Sequence, residues 1–598
     1  MALVAAVLFL VPSCVASAEP VIADIRTDKS RYSPGARVTI SITLADRSRN
    51  VPLRGTVGLS CAHLDVPLRG PAPQAFRLAP GAARTLVFTW KPPVRDFQGY
   101  GVEAWARDAA NHALDCRGAA VDVSSTWTRF PRYGFLSGFP AQPPAVSQRI
   151  VRRLADYHLN ALQFYDWQWK HHIPLAGTVA HPAASWQDLA GRPTYRRTVL
   201  DLIAAAHQTG MAAMNYDLLY GAWSGYGADG VDYRWGLWKN NEGTNQASFP
   251  LPGGWATPTV YLFNPADAGW QDYLIGQEAK VFAAYPFDGW QVDQIGDLGA
   301  VYDFGGRPIT LWQTFRPFLK TAKARLHKHL LFNNVGAYGL YDTAAHAAED
   351  AVYVECWEFA GQKTYGDLKS VIDQASEWSG GKAVILAAYM NRAQADAFSA
   401  DRPGRFNAPG VLLADAAIFA SGGAHIELGD AAQMLDNEYF PNRSLVPGMA
   451  LMDALRRYYD FSVAYENLLR GGLSNIKNAV TLSVPASGNA APNTVWAFAK
   501  AGRSAHVLHL INLRGEHDTA WRDDRADRPA PTPQANLAVT YHPGPGTVTG
   551  VAWASPDAPD GALHSLPFTT GTDAAGHYVR FTVPRLAYWD MIYLRVRR

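Results

Sequence analysis

The chain has 598 residues, more than a single hydrophobic core serves, so a central domain with flanking modules is the expected plan. A hydrophobic fraction of 48% with 12% aromatic and 18% charged residues excludes disordered and collagen-like classes. With 54 basic against 52 acidic residues the formal charge is only +2, which excludes a field able to gather nucleic acid and points to a neutral or small partner.

In chain order, Leu3 to Val11 is an uncharged apolar run, and Ala16-Ser17-Ala18 precedes Glu19. This pattern predicts an export signal over 1–18, too short to span a membrane, and hence a secreted or periplasmic chain with no membrane span after cleavage. The positive n-region is missing, and Pro12 before Ser13 makes Cys14 a poor lipidation site. From Val21 to about Ser124 the pattern alternates with period two: Val38, Ile40, Ile42 and Leu44 are interleaved with Thr39, Ser41 and Thr43. With turns at Ser33-Pro34-Gly35 and Pro80-Gly81, it predicts an N-terminal immunoglobulin-like β-sandwich over 19–125. Cys61 and Cys116 both fall in this module and can pair in an oxidising compartment.

Between Tyr133 and about Gly472 short apolar runs alternate with helical stretches at 144–157, 194–209 and 270–284, which means a parallel sheet. Eight strands are expected: around Phe135, then 162–165, 213–216, 289–293, 331–333, 352–355, 384–388 and 425–428. Eight units in this length predict a central (β/α)8 TIM barrel over 126–472. An open doubly wound sheet is the alternative, weakened by the lack of a Gly-x-Gly-x-x-Gly fingerprint after the first strand. Alternation returns over 473–598, where a C-terminal β-sandwich is expected.

In such a barrel the chemistry sits where strands end. Within Gly289-Trp290-Gln291-Val292-Asp293, Trp290 and Val292 share the apolar, helix-facing side, so Asp293 points into the mouth. Within Val352-Tyr353-Val354-Glu355-Cys356-Trp357, the residues Val352, Val354 and Cys356 face the helices, and Tyr353, Glu355 and Trp357 point inward. Cys356 therefore reads as a packed apolar residue. Asp288 at the start of its run reads as structural, and Glu358, on the outward parity, as a solvated or loop-capping residue. Two carboxylates at the ends of strands four and six match retaining glycoside hydrolysis, in which one attacks the anomeric carbon and one protonates the leaving oxygen. A salt-bridged pair without chemistry is the bland alternative.

Polar and aromatic residues crowd the same rim and are the expected substrate contacts: Gln163, Tyr165, Asp166 and Trp167 after strand two, Asn215 and Tyr216 on strand three, and Trp290 and Gln294 beside Asp293. Asn333 on strand five, Trp357 after strand six, Tyr389 and Asn391 after strand seven, and Glu427 on strand eight complete the set. His171 and His172 are adjacent and diverge in direction, with no third ligand at metal spacing, so they read as hydrogen-bonding residues and no metal is expected.

The segments Gln163-Phe164-Tyr165-Asp166-Trp167 with His171-His172, Tyr216 to Gly221, Asp288-Gly289-Trp290 through Val292-Asp293-Gln294, Tyr353-Val354-Glu355, and Asn437-Glu438-Tyr439-Phe440-Pro441-Asn442 resemble glycoside hydrolase family 66, the dextranases and cycloisomaltooligosaccharide glucanotransferases. The resemblance implies a sandwich, barrel and sandwich order, dextran and isomaltooligosaccharides as substrates, and no cofactor. It also implies that the Asp of Val-Asp-Gln is the nucleophile and the Glu of the sixth-strand segment the acid/base, which are Asp293 and Glu355, the two that alternation selects. The glucanotransferase branch carries a carbohydrate-binding module inserted in the barrel, and no sandwich-like stretch interrupts Tyr133 to Gly472. The expected function is therefore retaining endo-hydrolysis of the α-1,6 linkages of dextran. The alternatives are intramolecular transglucosylation and, from another class, non-catalytic glycan binding.

Overall fold

The computed structural model describes residues 21–46, 52–477 and 479–597. The expected export signal at 1–18, with Cys14, lies outside them. The first alternating segments form two antiparallel sheets, one ordered Ile22–Thr27, Val38–Ala45, Ala83–Trp90 and the other built on Leu53–His63, Gln98–Asp108 and Ala113–Val123. Val38, Ile40, Ile42 and Leu44 are fully buried while the hydroxyl residues between them are half-buried, and both sheets share one core with Phe88, Trp90 and Tyr100. Cys61 is a free thiol in that core, its pKa pushed up to about 12 by burial, so the Cys61–Cys116 bridge that the sequence allows is not formed.

The middle of the chain builds a ten-stranded curled sheet. Its strands are β1 (Tyr133–Leu136), β2 (Ala161–Phe164), β3 (Ala212–Leu218), β4 (Gly289–Asp293), β5 (His329–Val335), β6 (Val352–Glu355), β7 (Val384–Ala387), β8 (Ala424–His425), β9 (Leu428–Gly429) and β10 (Gln433–Met434). Consecutive strands from β1 to β8 pair in parallel. Helices return the chain between successive strands from β1 to β8: α1 (Pro144–Ala155), α2 (Arg196–Gln208), α3 (Ala268–Ala284), α4 (Trp312–Leu326), α5 (Leu340–His346), α6 (Tyr365–Trp378) and α7 (Ala408–Ser421); α8 (Met449–Ala464) follows β10. Proline opens α1, where its missing N–H costs nothing, and a capping box between Thr364 and Asp367 opens α6.

The expected eighth strand is two short pieces. β8 pairs with β7, and Ile426 N–H continues that ladder to Leu386 O at 2.9 Å. Gly429 of β9 then pairs with Phe135 of β1, so residues 424–429 bond to both edges and the sheet curls back on itself. Only glycine fits this seam, because a Cβ at Gly429 would lie 2.3 Å from Phe135 O.

One core inside the sheet and two on its helix side flank the strands. Tyr133, Phe135, Met214, Leu331, Tyr353 and Ile385 fill the inside, and Trp290, Val292, Val352 and Val354 pack against the helices. The last part of the chain forms two sheets, antiparallel but for the parallel pairing of Ala486–Ser487 with Val495–Ala501, around Leu508, Leu510, Val539, Phe581 and Ile592. No helix among the described residues is long and apolar enough to cross a membrane.

Arg132, 1% exposed, fixes the junction between the first sheets and the curled one. It donates to the Asp122 carboxylate, to Glu466 Oε2 at 3.2 Å and to His158 O at 2.6 Å. Arg132→Ala leaves two buried acids without their counter-charge, and chemical denaturation is expected to find it about 3–5 kcal/mol less stable.

Candidate active site

Asp293 and Glu355 end strands β4 and β6, with β5 between them. Alternation puts Trp290 and Val292 of β4 against Phe315 and Phe318 of α4, and Val352 and Val354 of β6 in the other helix-side core. Both carboxylates are thereby turned inside. They meet over Asn333 of β5, whose Nδ2 donates to Asp293 Oδ1 at 2.8 Å and to Glu355 Oε2 at 2.8 Å. The two accepting oxygens are thus no farther apart than twice that bond. Asn333 is steadied in turn by Gln294, whose Nε2 donates to Asn333 O at 2.9 Å while its Oε1 accepts from Gly296 N–H at 2.6 Å.

The two acids have different supports. Asp293 also accepts from the Tyr216 hydroxyl at 2.6 Å and from Gln294 N–H at 2.8 Å. Burial pushes its carboxyl above the ordinary value, and these donors oppose the shift. Glu355 has, besides Asn333, only the Tyr389 hydroxyl at 3.1 Å. Burial first and the Asp293 charge second push Glu355 up to about 7. The Asp293 charge and the sparser donors therefore favour the proton on Glu355, and the three donors on Asp293 favour its ionised form.

Tyr165 stacks on Phe440 (centroids 4.3 Å, planes 14° apart), lies 4.9 Å from Tyr216 and donates to Glu438 O at 3.1 Å. Gln163 is buried with its Oε1 unpartnered. Asp166 adopts φ 47° and is pushed up to about 7 by burial and the Asp188 charge, and its Oδ1 has no hydrogen-bond partner. Trp357 stands beside Tyr389 at 5.8 Å. The structure thus gathers Tyr216, Gln294, Asn333, Tyr389, Tyr165 and Trp357 around the two carboxylates or the residues that hold them, with Gln163 and Asp166 at the same strand end.

Five expected contacts lie elsewhere. Trp167 is fully buried among Trp186, Tyr285 and Phe287, with Nε1 donating to Asn215 Oδ1 at 2.7 Å. The left-handed turn at Asp166 interrupts alternation and sends it to the helix side. Asn215 lies on the outward parity of β3 and donates to Glu278 Oε2 at 2.5 Å. Trp290 is fully buried against α4. Asn391, at φ 56°, bonds Asp523 O at 2.6 Å. Glu427 is buried beside Asp415 and His425 and accepts from the Tyr459 hydroxyl at 3.0 Å. Asp288 accepts from Ala213 N–H at 2.7 Å and pairs with His207, in keeping with a structural role. His171 and His172 hydrogen-bond Trp223, and burial pushes His171 down to about 3.

Sequence reasoning missed Phe440 and Arg522 as rim residues. Phe440 lies in the segment that carries the family resemblance. Arg522 had no local signal: it reaches the rim from the last quarter of the chain, donating to Cys356 O at 3.1 Å and lying 5.1 Å from the Trp357 ring.

The family profile for Glycosyl hydrolase family 66 matches residues 27–593, and the chain belongs to that family. A cycloisomaltooligosaccharide glucanotransferase of Niallia circulans is 32% identical over 96% of this chain and 72% of its own length. A dextranase of Streptococcus salivarius is 27% identical over 83% of this chain and 67% of its own. A crystal structure of a Paenibacillus sp. cycloisomaltooligosaccharide glucanotransferase complexed with cycloisomaltoheptaose superposes with a TM-score of 0.89 at 31% identity, over 96% of this chain and 99% of that one.

Because the Asp293 charge holds Glu355 up, Asp293→Asn is expected to bring the Glu355 carboxyl below about 7, as read by carbon NMR titration of labelled glutamate. An unchanged midpoint contradicts the coupling.

Proposed function

We propose that the protein is a retaining endo-hydrolase of the α-1,6-glucosidic linkages of dextran, releasing isomaltooligosaccharides, with Asp293 as nucleophile and Glu355 as acid/base. The observation that carries this reading is the shared Asn333 amide. Two 2.8 Å bonds to one nitrogen keep the two accepting oxygens within twice that length of one another, which is compatible with the about 5–5.5 Å of retaining enzymes and shorter than the about 6.5–9.5 Å of inverting ones. The scaffold we propose is a (β/α)8 barrel over 126–472, closed through residues 424–429, between β-sandwiches at 19–125 and 473–598. Export remains part of the proposal on the strength of the 1–18 pattern.

In the first step Asp293 attacks the anomeric carbon of a glucosyl unit while Glu355 gives its proton to the departing 6-oxygen, forming a covalent glucosyl-enzyme. Water then enters, Glu355 takes its proton, and the Asp293–sugar bond breaks with the α configuration kept. Tyr216 favours the ionised form of Asp293 through its 2.6 Å bond, and burial with the neighbouring charge raises Glu355 to about 7, so that a large share of it carries a proton near neutrality. No cofactor enters these steps.

Intramolecular transglucosylation is the second reading, favoured by the higher identity to glucanotransferases. Against it, the 708-position alignment to one of them exceeds the 598 residues of this chain, so at least 110 aligned positions have no counterpart here.

Asp293→Asn and Glu355→Gln are each expected to lower turnover of dextran about a hundred- to ten-thousand-fold. Near-normal activity of either variant rejects the assignment. Chromatography of wild-type digests is expected to give linear isomaltooligosaccharides. Ring-shaped products replace the hydrolase by the transferase, and binding without shortening of the polymer rejects both.

A further inference from the structure

Phe359 is 79% exposed, the most open aromatic ring among the described residues. A lone exposed phenylalanine needs no explanation, but this one is mounted. Its ring is nearly parallel to that of Trp357, with centroids 5.6 Å apart and planes 21° apart. An edge of the ring lies against Gly336, where an added Cβ would come within 3.4 Å of Phe359 Cε2. Gly336 follows β5, which carries Asn333, and Phe359 follows β6, which carries Glu355. The ring therefore bridges the segment that follows Asn333 on β5 and the segment that follows Glu355 on β6.

Trp357 is itself fixed. The guanidinium of Arg522 lies 5.1 Å from its centroid and that of Arg392 5.4 Å, and Tyr389, which donates to Glu355, is 5.8 Å away. Arg522 is locked by its bond to Cys356 O, and Arg392 by a two-pronged pair with Glu438 at 2.7 and 3.0 Å. The Arg392–Glu438 pair is partly exposed and offers charged donors and acceptors on the same rim. An open aromatic face, a rigid mount and adjacent hydroxyl-binding groups, all on the acid/base side, form a surface for one face of a pyranose.

We propose that Phe359 is the stacking platform for the glucosyl unit on the leaving-group side of the scissile bond, and that after this unit departs the same platform receives acceptor sugars. The inference rests on the α-1,6-glucan reading and deepens it, since the platform would set the balance between transfer and hydrolysis. An exposed ring contributes little to folding, so its removal tests binding rather than stability.

The test compares wild type, Phe359→Ala and Phe359→Trp on dextran and on isomaltosyl fluoride, whose small leaving group leaves the platform empty. Phe359→Ala is expected to raise KM for dextran about five- to tenfold and to cut transfer to added isomaltotriose by a similar factor. Its hydrolysis of isomaltosyl fluoride stays at the wild-type rate, and Phe359→Trp restores dextran KM and transfer. An unchanged dextran KM and transfer ratio in Phe359→Ala overturns the platform, as does an equal loss on both substrates. Wild-type protein inert toward both substrates overturns the glucanase reading and the platform with it.

Discussion

The site depends on one amide. Asn333 Nδ2 donates to both carboxylates, and through it the geometry of three neighbouring strands becomes the geometry of a chemical site. Asp293 and Glu355 belong to strands separated by β5, so their backbones stand about 9–10 Å apart. The side chains close that gap by converging over the middle strand. Two carboxylates at such a distance in a buried site do not both ionise easily, and the uneven donors decide which keeps the proton. Three donors on Asp293 against two on Glu355, one of them long, send it to Glu355.

The rim that supports this pair is assembled from distant parts of the chain. The segment after β10 brings Phe440 against Tyr165, and the last quarter brings Arg522 against Trp357. Arg522 also accepts from Asn391 N–H at 2.8 Å through its backbone oxygen, so it ties the segment after β6 to the segment after β7. These are the segments that follow Glu355 and carry Tyr389. The C-terminal part of the chain thus reaches the rim around Trp357 and Tyr389.

Much of this was legible in the sequence wherever the backbone is regular. Alternation identifies the inward side of β4 and β6 because those strands stay extended to their last residue, and Asp293 and Glu355 are that residue. The same projection fails beyond the strands. Asp166 takes a left-handed conformation before Trp167, and Asn391 takes one itself, so both side chains leave the face that counting assigns them. Asn215 and Trp290 lie on the helix-facing parity, and their polarity or aromaticity alone brought them into the expected set. Glu427 is drawn instead to Asp415 and His425 on the helix side. Arg522 and the free state of Cys61 depend on long-range packing that a local pattern does not encode.

The most direct test of the account is the stereochemistry of the first product. Proton NMR of an early digest of dextran or isomaltooligosaccharide, recorded before mutarotation, reads the configuration at the newly released anomeric centre. The convergence of Asp293 and Glu355 on Asn333 predicts the α anomer. Initial release of the β anomer means that water attacks directly across a wider gap, and it contradicts the roles drawn from this geometry.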